Sequence, residues 1–234
     1  MIVRSYKDRL QLITQPSHAL LARRIMERCV PLATHPRRAV ILHAIHDHDN
    51  GWSEEDASPT VNPSTGEIVD FVNAPADVRQ RVWPRGVARL ADDPWAAALV
   101  AQHAIVIYDR FHGDPAWASF FDTMRSARDS MVRAADGRAD ELMTDYEFLR
   151  LADLTSLTFC TGWTGEQRFG DWVVRLSGTR VLTPDVFGGA EIPIEIAATE
   201  IENRRYRSDD ELRDALGRGA SNVLHGSVVG KSSA

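Results

Sequence analysis

Four segments of this 234-residue chain repeat apolar residues at helical spacing, and each sets a histidine or an aspartate within its apolar stripe. Successive residues of an α-helix advance by about 100°, so the face that must be buried can be counted directly. In residues 17–30 the stripe is Leu21, Ala22, Ile25, Met26 and Cys29, and His18 lies in it. In residues 37–49, Val40, Ile41, Ala44 and Ile45 lead to His48, with Asp49 at the border of the stripe; His43 and His46 point the other way. In residues 93–111, Trp95, Leu99, Val100, Val106 and Ile107 surround His103, and Arg110 follows on the same face. In the helix that ends near Cys160, Leu142, Leu149, Leu157 and Cys160 surround Asp153.

Each such residue has an ordinary explanation by itself. A histidine on an apolar face is commonly a hydrogen-bonded core residue, and a buried aspartate commonly caps a helix or pairs with an arginine. Four helices doing this together is another matter, because burying a charge or an unpaired imidazole is costly. One divalent cation compensates all of them at once. Imidazole and carboxylate make a ligand set suited to Zn, Mn or Fe.

Helix signals agree with these segments. Pro16 and Pro36 stand where a first helical turn accepts proline, and Asp93-Pro94 and Asp114-Pro115 read as caps followed by first-turn prolines. Thr144-Asp-Tyr-Glu147 reads as a capping box. Residues 76–90 predict a further helix, broken or kinked at Pro84. Residues 50–75 are rich in Gly, Pro, Ser, Asn and Asp; such a long stretch is often functional, here as a lid, with a turn at residues 62–66. Gly51 is expected to close the second helix as a left-handed cap, and Trp52 to pack that helix end or wall a pocket.

Short strands are expected at 2–4 and 10–13, as an opening hairpin, and at 172–176 and 192–201. Ser208-Asp-Asp-Glu211 starts a short helix to Leu216. The expected architecture is mainly α: a helical bundle over residues 1–165 with a short N-terminal hairpin. A small α+β appendage occupies 166–217, and a disordered tail 218–234.

The order His18, then His48-Asp49, then a distant Asp153 resembles the HD superfamily of metal-dependent phosphohydrolases. More closely, Gln15-Pro-Ser-His18, His48-Asp-Asn-Gly-Trp52 and Leu151-Ala-Asp153-Leu-Thr-Ser-Leu157 resemble an uncharacterised bacterial family. The resemblance implies a helical bundle with metal between its helices, held by His18, His48, Asp49 and Asp153. His103 stands where two-metal members place additional histidines. Those members supply two such positions, and His112, at a helix end beside Gly113, is a poor second. One ion is expected and two are allowed, with His103 as ligand, general acid or phosphate contact.

The implied activity is hydrolysis of a small phosphorylated or phosphonate-like substrate by a metal-activated water, with Asp49, His103 and Arg110 as the catalytic and substrate-clamping residues. Two alternatives stand beside it: a di-iron oxygenase of a small polar substrate, and an inactive HD domain that binds a ligand or partner. A second doublet, His46-Asp47, has the same letters but the wrong helical phase.

The net charge of −6 argues against a nucleic-acid surface. No apolar stretch reaches membrane-spanning length, and no apolar leader precedes Arg4, Lys7 and Arg9, so a cytoplasmic location is expected. Cys29 and Cys160 lack metal-ligand spacing and are expected to be buried thiols. The partner expected is a small anionic substrate; oligomeric state is not readable.

Overall fold

The computed structural model describes residues 1–177 and 179–231. The chain opens with an antiparallel hairpin, β1 (Ile2–Tyr6) and β2 (Arg9–Ile13). Then follow α1 (Gln15–Met26), α2 (Val30–Ala33), α3 (Arg38–Asp47), α4 (Ser53–Ala57), α5 (Ala76–Ala88), α6 (Pro94–Ile107), α7 (Ala118–Ala134) and α8 (Ala139–Thr161). The C-terminal part is β3 (Gln167–Phe169), β4 (Trp172–Ser177), β5 (Thr179–Thr183), β6 (Glu191–Glu202), α9 (Asp209–Gly217) and β7 (Ala220–Gly230).

All seven strands form one curled sheet in the order β1-β2-β6-β7-β5-β4-β3. Neighbours are antiparallel except β5 and β7, which run parallel. The fold is therefore mixed α/β, not a helical bundle with a small appendage. The N-terminal hairpin is no isolated ornament either, since Leu10 pairs with Ile201 and Leu12 with Thr199 across β2 and β6. Residues 220–230, expected within a disordered tail, are an interior strand. Their mixture of small, polar and apolar side chains gives no regular alternation, but β6 and β5 hydrogen-bond β7 from both sides. Small size is also useful there: a Cβ on Gly226 would come within 2.6 Å of the Phe159 ring, so only glycine lets α8 lie this close.

The long strand β6 shows why the sheet has two covered faces. Ile192, Ile194, Ile196 and Ala198 alternate with exposed residues and join the main core, which also holds Leu21 and Ile25 of α1. On β2, Ile13 belongs to that core, whereas Leu10 and Leu12 face a second cluster with Val61, Ile68, Ile201, Tyr206 and Leu212. Period-two side-chain alternation thus packs helices on one face. The other face receives α9 and the hairpin-like turn bridged at Val61 and Ile68. The segment 50–75 is for the most part sheet covering rather than lid; of its residues Trp52, Phe71 and Val72 reach the cleft described below.

Helix α6 is buried from Trp95 to Ala104 and is the axis of the helical layer, packed by α3, α5, α7 and α8. Thr14 caps α1 by accepting from Ser17 N–H at 3.2 Å, and Asp93 caps α6 by accepting from Ala96 N–H at 3.3 Å. Helix α8 begins five residues before the expected capping box. Arg138 and Glu141 form its N-terminus, and Thr144 donates back to the Asp140 carbonyl from inside the helix. Helix α5 continues through Pro84. Among the described residues, no helix is long and apolar enough to cross a membrane.

Gly51 is not a left-handed cap. Its constraint is proximity: a Cβ there would lie 2.0 Å from the Val82 carbonyl oxygen of α5. Arg85 and Arg89 of α5 donate to the carbonyls of Gly51 and Asn50, clamping the turn that follows His48-Asp49. Gly51→Ala is therefore expected to push this turn off α5 and cost about 2–3 kcal/mol. Thermal unfolding checks it; a shift in melting temperature below a degree would show that the turn has room to spare.

Candidate metal centre

The four helices with a polar residue on the apolar face bring those residues to one point. His18, His48, Asp49, His103 and Asp153 are all buried, whereas His43 and His46 are half-buried and pair with Asp47 and Asp93 away from the site. His112 is also outside the site, against Arg125.

The donors fall into two overlapping groups whose ligand atoms lie within 4.8 Å of one another, His18 with His48 and Asp49, and His48 with His103 and Asp153. His18 Nε2 lies 3.2 Å from Asp153 Oδ1 and 3.6 Å from Asp49 Oδ2. His48 Nε2 lies 3.3 Å from Asp49 Oδ2 and 3.7 Å from Asp153 Oδ1. Ligand atoms bonded about 2.1 Å from one ion at tetrahedral angles would stand roughly 3.4 Å apart. These four separations bracket that edge.

The far side of each ring settles which nitrogen faces inward. His48 Nδ1 is 2.8 Å from the Ile45 carbonyl, which can only accept, so Nδ1 carries the hydrogen. Ser156 donates its hydroxyl to the Asp153 carbonyl, leaving its oxygen to accept from His18 Nδ1 at 2.9 Å. Both rings thus turn Nε2 to the centre, as metal-ligating histidines do. His48 Nε2 is fully buried and makes no well-aligned hydrogen bond, though Asp49 Oδ2 stands 3.3 Å from it.

Burial opposes charge on His48, Asp49 and Asp153, and their mutual pairing overturns it. Against desolvation, Asp49 and Asp153 raise His48 well above the ordinary imidazole range. Against the same penalty, the histidines hold Asp49 below its usual value and Asp153 well below it. His103 goes the other way: burial drives it down to about 3, so its imidazole is neutral at physiological pH.

His103 Nε2 faces the other oxygen of Asp153, Oδ2, at 3.7 Å, and its Nδ1 lies 3.2 Å from the Tyr146 hydroxyl. The same Oδ2 accepts from Arg150 Nη1 at 2.7 Å. A cleft of about 410 Å³ opens over this floor. Trp52, Trp83, Tyr108 and Leu157 are among its walls, and Arg79, Arg110, Arg150 and Arg168 also line it.

Residues 1–206 match the family described as "Protein of unknown function (DUF3891)". The chain belongs to that family. No curated protein and no solved structure matches it. In this DUF3891 member the match covers all five residues of the cluster and both arms of the sheet's β2–β6 pairing, and it ends before β7.

Arg110 is on the cleft, but in a 3-10 turn past the end of α6, with its guanidinium 4.9 Å from the centre of the Phe111 ring. Among the described residues it makes no hydrogen bond or ion pair with the floor residues. Sequence reasoning missed Arg150, Ser156, Trp83 and Tyr146. Arg150 and Ser156 were detectable, since they stand three residues before and after Asp153 on the same helical face. Trp83, edge-on to His103 at 5.5 Å, and Tyr146 had no distinguishing signal.

Proposed function

We propose that this protein is a metal-dependent hydrolase of a small phosphorylated or phosphonate-like substrate, with one divalent ion (Mn, Fe or Zn) held by His18, His48, Asp49 and Asp153. The observation that carries the metal is the buried, unpartnered His48 Nε2, converging with three other donors at ion-spanning distances. Two imidazoles and two carboxylates suit these ions, and the resemblance to HD phosphohydrolases rests on the same four positions.

A bound ion of this kind supplies a nucleophilic water at neutral pH and polarises a phosphoryl oxygen. The chain's own groups do the rest. Asp49 borders the cleft, and its oxygen turned from the histidines accepts the water's proton. Neutral His103 offers a hydrogen-bonding contact to a phosphoryl oxygen rather than an acid. Arg150 fixes Asp153 and brings positive charge to the floor, which favours an anionic reacting group. Trp83 and Tyr108 exclude water from that floor. Arg150 also favours one ion over two: its guanidinium takes the Asp153 oxygen that, with His103, a second cation would need, which counts against di-iron oxygenation.

The test is phosphate release from a panel of small phosphate monoesters and phosphonates by protein loaded with Mn, Fe or Zn. Metal-dependent release, abolished in Asp153→Asn, is expected. His103→Ala should leave one ion per chain and lower turnover roughly ten- to hundredfold, the loss of one hydrogen bond to a charged group. Metal-loaded protein inert on the whole panel, or iron-loaded protein that consumes dioxygen instead, would overturn the hydrolase reading.

A further inference from the structure

The cleft has a second tier, and it is cationic. On α5, Trp83 packs against His103, and Arg79 stands one turn away; on the other wall, Arg110 stands seven residues beyond His103. The four residue steps of α6 from His103 to Ile107 alone rise about 6 Å, so that level lies well beyond the floor. At the outer level both guanidinium groups lie against one ring, Phe111, at 5.4 Å for Arg79 and 4.9 Å for Arg110. Arg79 also faces the rings of Trp117 at 5.6 Å and Tyr108 at 6.0 Å.

Neither arginine has a carboxylate partner among the described residues. The contrast within α5 is informative. Arg81, Arg85 and Arg89, outside the cleft lining, each pair with Glu54, Glu55 or Asp77, whereas Arg79, in the lining, is unpaired. Its Nε is buried without any acceptor. Aromatic faces hold a guanidinium in place, but they leave its in-plane N–H donors unused. Arg79 is half-buried with an unsatisfied buried donor and Arg110 is exposed beside it, so an anion at this ring would meet two positive charges and satisfy the Arg79 Nε.

We propose that Arg79 and Arg110 form a second anion-binding site, so that the substrate carries a remote carboxylate or phosphate in addition to its reacting phosphoryl group. The clause about the reacting group rests on the hydrolase reading; the anion site itself does not. A doubly anionic molecule would span the cleft, its body lying along Trp83 and Tyr108. Tyr108 assists: burial raises its hydroxyl to about 12, so it keeps its proton, and it accepts from Trp83 Nε1 at 3.3 Å, leaving that proton to donate.

The experiment separates the two sites. Inorganic phosphate and, separately, succinate are titrated calorimetrically into Asp153→Asn protein, whose floor is impaired, and into chelator-treated wild type in case that variant does not fold. Binding of at least one probe should persist. Adding Arg79→Gln or Arg110→Gln should weaken it about tenfold or more, one charged hydrogen bond's worth, while Arg81→Gln leaves it unchanged. Tighter binding of phosphate or of succinate identifies the remote group. No binding of either probe, or affinity within twofold of the parent in both the Arg79→Gln and Arg110→Gln proteins, would overturn the second site. Wild type that contains no metal yet binds the probe through Arg79 would instead sink the hydrolase reading and leave this one standing.

Discussion

Asp145→Ala is expected to destabilise the protein by about 3 kcal/mol, a fall in melting temperature of roughly 6–12 °C for a chain of this size. Asp145 is fully buried one residue before Tyr146, and three elements converge on its carboxylate. Arg37, just before α3, donates through Nε at 2.5 Å, and Trp95 Nε1 of α6 donates at 2.8 Å. His35 Nε2 lies 3.4 Å away. Arg37 also stacks on Trp95, 4.9 Å from the ring centre. Removing the carboxylate leaves a guanidinium and an indole N–H without their acceptor in the core, and such losses exceed the net worth of the pair. Arg37 is one-third exposed, which keeps the expected cost at the low end of the range for buried pairs. Folded Asp145→Ala should still hold its metal. A melting temperature within 2 °C of wild type would show that the core supplies other acceptors.

Chelation is expected to lower the melting temperature by several degrees, and re-adding Mn, Fe or Zn to restore it. An ion that binds the native state at a thousandfold its dissociation constant contributes about 4 kcal/mol. The physical demand for it is visible in the apposed carboxylates: Asp49 and Asp153 are both buried and both approach His18 and His48. Like charges so placed repel unless cations join them. Asp153→Asn keeps the shape and removes the charge, so it should fold and respond weakly to chelator. A melting curve indifferent to chelator and to added ions would remove the metal from the account.

The candidate site was far more legible in the sequence than the fold was. Helical phase alone turns His48 inward and His46 outward, and the burial of the two rings follows that phase. The same arithmetic places His18, His103 and Asp153 on buried faces, because amphipathic periodicity is a local property. Sheet membership is not local. Residues 220–230 have no apolar alternation, and what makes them a strand is pairing with β6 and β5. Gly51 shows a related limit: its sequence context fits a helix cap, and only the approach of Val82, thirty-one residues later, reveals the reason for it. Arg110 lies on the cleft, but its nearness to Arg79 depends on how α5 packs beside α6.

Elemental analysis of the protein, purified without added metal, tests the central claim most directly. One Mn, Fe or Zn ion per chain is expected in wild type and in His46→Ala, with near-complete loss in His48→Ala. Wild type that holds no metal and takes none up, or equal loss from His46→Ala and His48→Ala, would contradict it.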